Sequence, residues 1–334
     1  MAVETSKENL TMFDRSMLLK LIIPVAIEQT LSVTVGMADM IMVSGAGEAA
    51  VSGISLVNSI SILLVMLFAA LASGGSVVVA QYLGSGNRDK ACRAAEQQVL
   101  SCLLIAIALT VLALAGNRAI LSLIYGSVEE EVMNNAVIYF AIIAISFPFL
   151  AMYNAGAALF RVMNNAHISM IMSAIMNVIN ITANAVFIFY LHMDIAGVAY
   201  ATLLSRMVAA TVLMLQIRRQ SLPVHIDRYF RFHWDSHMMK NILRIGVPQG
   251  LENSMFQIGK LLTQSLISSF GTAAIAANAC ASTVEMLADI PGSAMGIALV
   301  TIIGQCAGAG EYGQARQYTK KLLKITYAFM IGLN

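Results

Sequence analysis

Long apolar segments separated by short polar turns make up most of this chain. Eight of them can cross a bilayer as helices, since about 20 apolar residues span the hydrocarbon core. They cover residues 18–44, 50–83, 96–124, 132–158, 168–191, 195–217, 246–270 and 273–305. A ninth segment begins near Leu322 and reaches Asn334, which is too short to cross. The pattern predicts an all-α polytopic membrane protein with about eight and a half spans.

The composition excludes a soluble globular protein. Hydrophobic residues make up 58% of the chain and charged residues 11%, whereas soluble domains carry roughly 25% charged residues. The polar start MAVETSKENL lacks the apolar core of a signal peptide, so we expect the first span to be retained. We expect a monomer embedded in the lipid bilayer of the cell membrane, with no nucleic-acid partner.

Basic residues are strongly biased to one side of the membrane. If the N-terminus is cytoplasmic, all but three of the 20 lysines and arginines fall in cytoplasmic segments. The exceptions are Arg118 on the outer side and Arg206 and Lys260 within spans. This distribution follows the positive-inside rule and predicts a cytoplasmic N-terminus.

The chain repeats itself on either side of a polar stretch at 218–241. LLKLIIPVAIEQ at 18–29 aligns with ILRIGVPQGLEN at 242–253, so that Pro24 falls on Pro248 and Glu28 on Glu252. With no gap, GEAAVSG falls on GTAAIAA, and AQYLGSG falls on GQCAGAG. The offset is constant at 224 positions, the difference between Pro248 and Pro24. A constant offset over this length indicates an internal repeat.

The repeat predicts the domain organisation. Its first unit holds an even number of spans, so the second unit enters the membrane in the same direction, as in parallel-repeat transporters. We predict an N-terminal six-helix bundle at 1–217, a cytoplasmic linker at 218–241, and the first part of a C-terminal six-helix bundle at 242–334. Two complete units imply about 440 residues and twelve spans, related by a two-fold axis perpendicular to the membrane. We therefore expect this chain to be C-terminally truncated and not to transport by itself.

Acidic residues inside spans are costly and are candidates for function. Asp39 lies in the outer half of the first span, and Glu28 and Glu252 lie near the bilayer midplane at matching positions of the repeat. We predict that Asp39 couples a cation to transport and that Glu28 and Glu252 face a substrate cavity between the halves. The alternative for Asp39 is a carboxylate hydrated near the outer interface.

Three further ionisable residues lie in spans of the second half. Glu285 and Asp289 are four residues apart and share a helix face. We assign them, with Lys260, to the substrate cavity. They would either offer acidic contacts to a cation or pair with Lys260.

Three asparagines share one face of the fifth span. Asn177, Asn180 and Asn184 bring their amides together at helical spacing. We assign them to the cation-coupling site with Asp39. The alternative is hydrogen bonding between packed membrane helices.

Motifs for metal binding or enzymatic chemistry are missing from the sequence. The four cysteines show no CxxC spacing, and His233 and His237 lie in a basic loop without further ligands. GAGEYG at 308–313 matches GxGxxG but follows a membrane span rather than a strand. There is no Walker A, GxSxG or HExxH sequence. We expect no cofactor, no metal site and no enzymatic activity.

These residues together resemble the multidrug and toxic compound extrusion (MATE) family of cation-coupled efflux transporters, notably its bacterial and archaeal members. The resemblance covers the chain from about Met12 onward. It rests on Asp39 fifteen residues after Pro24, and then, in order, on AQYLGSGNRDKA, LFRVMNNA, MNVINITANAVF, IAGVAYATLLS and GVPQGLENSMFQIGKLLTQSLISSFGTAAIAANA.

The resemblance implies a V-shaped twelve-helix protein that exports amphipathic, usually cationic compounds in exchange for H⁺ or Na⁺. In one branch the first-span aspartate, here Asp39, takes up the proton. The helix bends there at the proline matching Pro24, and Pro248 is the corresponding hinge in the second half.

The sequence departs from the family's patterns in two places. Asn180 matches that branch's fifth-span asparagine, but the aspartate expected four residues later is Asn184. In another branch a seventh-span glutamate follows the helix-opening proline by eight residues; that position here is Phe256, and Glu252 comes at four. The resemblance therefore leaves the choice between H⁺ and Na⁺ open.

Two other functions compete with efflux. A flippase for lipid-linked oligosaccharides, from the same superfamily, would need several cationic groups to hold a pyrophosphate. Only Arg206 and Lys260 lie in spans, against five carboxylates. A membrane enzyme is disfavoured further, because no nucleophile–base pair or metal-ligand set is present.

Overall fold

The described part of the chain is built from helices. A computed structural model describes residues 12–43, 48–126, 129–226, 234–268, 270 and 272–333. Its helices are α1 (Arg15–Val43), α2 (Glu48–Gly84), α3 (Arg88–Ala115), α4 (Asn117–Tyr125), α5 (Glu130–Val162), α6 (Ala166–Ala185, continued by a π-helical turn Val186–Tyr190), α7 (Asp194–Ile217), α8 (Ser236–Ser268), α9 (Thr272–Gly308) and α10 (Tyr312–Leu333). The prediction of an all-α polytopic membrane protein is confirmed.

Seven of the helices in these ranges are long and apolar enough to cross a membrane. They are α1, α2, α3, α5, α6 with its π-helical turn, α7 and α9. The predicted span at 246–270 falls mainly in α8, which is too polar to belong to this set. α8 nevertheless packs against α2, so contact with another helix positions it.

Several boundaries differ from the sequence prediction, among them the starts of α3 at Arg88 and of α10 at Tyr312, and hydrogen bonds explain two others. The segment 96–124 forms two helices, because α3 ends before Gly116 and the short α4 begins at Asn117. The Asn117 side chain donates to the carbonyl oxygen of Val137 at 2.8 Å, which fixes α4 against α5. Helix α8 begins at Ser236 rather than 242, because the Asp235 carboxylate accepts hydrogen bonds from the backbone amides of His237 and Met238, both at 3.0 Å. An aspartate that caps a helix start in this way is a strong initiation signal.

The first bundle has its core between α2, α5 and α7. The middle of α5 is rich in alanine and glycine, and a Cβ atom on Gly156 would lie 2.8 Å from the Met214 methyl group of α7. Small residues let membrane helices approach closely, and the resulting van der Waals contact holds them together. Phe68 and Phe147 fill the space where α2 crosses α5, with ring centroids 6.1 Å apart.

Helices α2 and α9 occupy equivalent positions in the repeat, and they touch through equivalent residues. A Cβ atom on Gly84 would collide with the backbone carbonyl of Gln305, and one on Gly308 would collide with that of Gln81. Gly308 and Gln305 are the repeat equivalents of Gly84 and Gln81. Such a reciprocal contact, in which residue i meets j′ and j meets i′, is the mark of a two-fold axis. We call it the glycine crossing.

A second contact joins the halves beside the glycine crossing. The backbone amide of Phe13 donates to the Tyr318 hydroxyl at 3.0 Å, and that hydroxyl donates to the Phe13 carbonyl at 2.8 Å. Met12 donates to the Gln314 side chain at 2.8 Å, and Gln305 donates to the Val162 carbonyl at 2.6 Å. We call these four hydrogen bonds the seal. They lie where α1 and α10 begin and where α5 and α9 end, so they close one end of the interface between the halves.

Candidate functional site

A cavity of about 450 Å³ lies between the two halves, one helical turn from the seal. It is lined by α1 (Gln29), α2 (Ala69, Ala70, Ala72, Ser73, Ser76), α5 (Asn154, Ala158, Arg161), α8 (Gln249, Asn253) and α9 (Ser293, Gly296, Ile297, Val300, Thr301). The volume is within the range of ordinary small-molecule sites.

Repeat-related residues line the cavity from both halves. Its lining contains both members of five repeat-related pairs: Gln29 with Asn253, Ala69 with Ser293, Ala72 with Gly296, Ser73 with Ile297, and Ser76 with Val300. A cavity lined by both copies of the same positions is the arrangement expected of a transporter whose site lies between parallel repeats. The repeat equivalents of Ser73 and Ser76 are the aliphatic residues Ile297 and Val300. At these positions the α2 wall is therefore more polar than the α9 wall.

One face of α5 supplies the cavity with hydrogen-bond donors. Asn154, Ala158 and Arg161 follow one another at helical spacing along the lining. The amide nitrogen of Asn154 is buried without a hydrogen-bond partner among the described residues. A buried donor of this kind can be satisfied by a bound molecule or by water.

Arg161 is paired with Glu28 behind the cavity wall. Its Nη1 atom lies 3.0 Å from Oε1 and 3.2 Å from Oε2 of Glu28. The Ser169 hydroxyl donates to Oε2 at 2.8 Å. The exposed fractions of the Arg161 and Glu28 side chains are 14% and 9%, so this is a buried ion pair. It neutralises the one cationic side chain among the lining residues.

The predicted cavity residues of the second half lie outside this lining. Glu252 is exposed on α8. Lys260 pairs with Glu285 at 2.8 Å on an exposed surface, and its Nζ lies 5.2 Å from the centre of the Phe256 ring. The alternative of pairing with Lys260 thus applies to Glu285. Asp289 accepts a hydrogen bond at 2.7 Å from Ser293, which lines the cavity, so Asp289 lies at the rim away from the seal.

The three asparagines of α6 are buried between helices. Asn177 donates to the Leu31 carbonyl of α1 at 3.0 Å, and Asn180 donates to the Thr202 hydroxyl of α7 at 3.3 Å. Asn184 donates to Asn180 at 3.2 Å. These bonds correspond to the alternative of hydrogen bonding between packed helices, and the asparagines do not line the described cavity. A π-helical turn follows directly at Val186, a feature that often accompanies function.

Some predicted site residues are described only in part or not at all. Asp39 belongs to α1, but its side chain lies outside the described residues, as do Cys280 and the whole of His233. Both hinge prolines lie inside their helices, Pro24 buried in α1 and Pro248 exposed in α8. Among the described side chains, no group of three or more His, Cys, Asp or Glu residues could hold a metal ion.

Sequence reasoning missed most of the polar lining. Gln29 and Asn253 directly follow Glu28 and Glu252, so the repeat alignment contained them as a matched pair. The charge pattern places Arg161 in a cytoplasmic segment and does not indicate that it lines a cavity from the last turn of α5. Apart from being an amide within a span, Asn154 has no feature in the sequence that predicts a place in the cavity lining.

The seal predicts a measurable effect of a single hydroxyl group. Tyr318→Phe removes both hydrogen bonds to Phe13 while keeping the edge-to-face ring contact, whose centroids lie 5.9 Å apart. Two such bonds are worth about 2 kcal/mol together. Hydrogen–deuterium exchange at residues 12–18 and 314–322 should therefore become faster. Tyr327→Phe, an exposed tyrosine on the same helix, is the control. Equal exchange in Tyr318→Phe and the unmodified chain would contradict the role of the seal.

Comparison with known proteins places this geometry in a family. The MatE family model matches residues 24–186 and 248–334, well over half of the chain. A probable multidrug resistance protein NorM from Thermotoga maritima is 28% identical over 312 residues, covering 89% of this chain and 64% of that protein. The chain therefore spans somewhat less than two thirds of the length of this relative.

Solved structures share the fold. A crystal structure of MATE in the bent conformation superposes with a TM-score of 0.86 at 23% identity, covering 95% of this chain and 70% of the other. A MOP superfamily transporter from Pyrococcus furiosus, for which a binding pocket of reverse polarity is described, has a TM-score of 0.88 at 22% identity with the same coverage.

Proposed function

Since this chain belongs to the MatE family, we propose that it is a secondary transporter that exports small amphipathic compounds in exchange for H⁺ or Na⁺. The observation that carries the proposal is a cavity that is lined by repeat-related residues of both halves and closed at one end by the seal. Family membership supports a transporter rather than an enzyme. The NorM relative supports drugs and toxins as the compounds exported.

The seal indicates which end of the cavity would open when the halves move. Transport requires the cavity to open alternately to the two sides, and parallel-repeat carriers achieve this by rocking one half against the other. Breaking the four hydrogen bonds of the seal would open the cavity at that end. We place this end on the cytoplasmic side, because the basic residues predicted to be cytoplasmic cluster beside it. The state described here is thus closed towards the cytoplasm.

The cationic preference of the substrate rests on the cavity rim. Asp289 contacts the lining residue Ser293, and an exposed carboxylate there attracts a cation as it enters. The base of the cavity is uncharged on balance, because Arg161 and Glu28 neutralise each other. A lipid-linked pyrophosphate would need several cations, whereas Arg161 is the only one among the lining residues. The rim and the base therefore favour drug export over the flippase.

Coupling is assigned to acids of α1. Asp39 remains our first choice, because a carboxylate in a partly dry span can exchange its charge for a proton. Glu28 is the second, since protonating it would release the Arg161 guanidinium that lines the cavity.

The test is efflux of a fluorescent cation from cells that carry the complete gene, since this chain is not expected to transport by itself. Ala69→Trp fills the cavity from an exposed lining position and should reduce efflux at least tenfold, whereas Ala328→Trp on the exposed face of α10 should not. Asp39→Asn should abolish efflux driven by a pH or Na⁺ gradient and leave membrane insertion unchanged. Unchanged efflux in Ala69→Trp would refute the cavity as the route. Unchanged efflux in Asp39→Asn alone would move the coupling role to Glu28.

A further inference from the structure

A second, apolar groove of about 690 Å³ lies between α1, α9 and α10. Aliphatic and aromatic side chains form most of its lining, among them Ile22, Ile23, Ile325 and Phe329. The charged residues in the lining are Arg15 and Lys321, and no carboxylate belongs to it. The groove is separate from the cavity between the halves, with which it shares no lining residue.

Both cations lie at the same end of the groove. The Tyr318 hydroxyl binds the backbone of Phe13, and Arg15 and Lys321 follow these two residues by two and three positions. The remaining lining extends from there to Ala26 on α1 and Phe329 on α10, about 12–16 Å along the helices. The groove therefore has a cationic mouth beside the seal and an apolar interior that runs into the membrane.

The groove exists because the two halves differ at this point. At the repeat-equivalent contact, α8 of the second half approaches α2 of the first half so closely that a Cβ atom on Gly74 would lie 2.6 Å from the backbone nitrogen of Gly246. The repeat equivalents of Gly246 and Gly74 are Ile22 and Ala298. α1 also packs on α9, but the side chains of Ile22 and Ala298 prevent an approach as close as that of the two glycines.

In the first half, the residues equivalent to the mouth of the groove are buried and leave no opening there. Lys321 and Leu322 correspond to Gln97 and Gln98, which are buried. Gln97 accepts a hydrogen bond from the backbone of Asp235 at 3.4 Å, just before α8. Helix α8 itself makes its main contacts with α2, α3 and α9. The space equivalent to the groove is thus closed by direct contact of α8 with α2 and α3.

We propose that this groove binds one anionic phospholipid of the cytoplasmic leaflet, with its phosphate between Arg15 and Lys321 and an acyl chain along Ile22 and Ile325. Basic pockets between membrane helices on the cytoplasmic side recognise acidic head groups, and each cation near the surface strengthens the binding. The apolar interior takes an acyl chain, whereas a soluble anion would leave it empty. Because α1 and α10 belong to different halves, a lipid bound there would hold the seal closed.

The experiment is native mass spectrometry of the chain released from nanodiscs of phosphatidylglycerol and phosphatidylethanolamine in equal amounts. The unmodified chain should retain one phosphatidylglycerol in preference to phosphatidylethanolamine. Arg15→Ala with Lys321→Ala should weaken this retention by roughly tenfold or more. Ile325→Trp, which narrows the groove without changing charge, should weaken retention of the same lipid.

The matched control is Lys20→Ala with Lys320→Ala. It removes the same charge from the same two helices at exposed positions that do not line the groove, and it should retain the lipid. Equal loss in this control would assign the effect to overall surface charge and overturn the proposal. Equal retention of the two lipids by the unmodified chain would overturn it as well. A dimer that Ile325→Trp dissociates, with no lipid retained, would instead assign the groove to a second copy of the chain.

Discussion

Arg161→Met is expected to lower the free energy of unfolding by about 3–5 kcal/mol, because it leaves a buried carboxylate without its counter-charge. Glu28 is 7% exposed, and among the described residues it would keep the hydrogen bond from Ser169 alone. Equilibrium unfolding of the purified protein in mixed detergent and dodecyl sulfate, followed by circular dichroism, measures this loss.

Removing the other partner of the ion pair should lower the free energy of unfolding by less. Glu28→Gln leaves Arg161 without its partner, but the guanidinium lines the cavity and can be hydrated from there. Combining Arg161→Met with Glu28→Leu should recover much of the stability lost in Arg161→Met, since removing both charges of a buried pair is often nearly neutral. A double variant as unstable as the sum of Arg161→Met and Glu28→Leu measured singly would show that the ion pair itself contributes nothing.

The glycine crossing leads to the second large expected effect. Gly84→Ala or Gly308→Ala inserts a methyl group against a backbone carbonyl, which cannot move aside as a flexible side chain would. Overpacking of this kind costs about 1–3 kcal/mol, and the strain falls on the contact between the halves. Hydrogen–deuterium exchange at the sealed end should therefore become roughly tenfold faster in each variant.

Gly259→Ala is the control for the glycine substitutions. A Cβ atom at Gly259 would meet nothing within 4 Å, and alanine favours a helix over glycine by about 1 kcal/mol. This variant should be unchanged or slightly more stable. Because the crossing is reciprocal, Gly84→Ala and Gly308→Ala should have similar effects. A strong effect at one position and none at the other would refute the two-fold relation.

The architecture was accessible from the sequence because its determinants are local or periodic. Span length depends on runs of apolar residues, and the constant offset between Pro24 and Pro248 exposed the repeat without any contact being known. The same offset also related the opposite walls of the cavity, such as Gln29 and Asn253.

The partners of the polar groups could not be predicted in this way. The sequence predicts that Glu28 lies near the midplane and faces the cavity, but in the structure it lies outside the lining and pairs with Arg161 and Ser169, which are 133 and 141 positions away. Helical spacing placed Asn177 on a face with Asn180, yet it does not tell whether that face meets a cavity or another helix. In the structure it meets the backbone of Leu31. Such choices depend on how the helices pack, which no local pattern contains.

The hydrogen bonds of Tyr318 affect how strongly positions 13 and 318 should covary among related sequences. Both bonds go to main-chain atoms of Phe13, which every residue type except proline supplies in full. Substitutions at position 13 therefore place little pressure on position 318 to change with it, apart from the loss of a ring contact. Covariation between the two positions should be weak, although they are 305 residues apart and touch. Position 318 should tolerate few replacements, while position 13 varies widely.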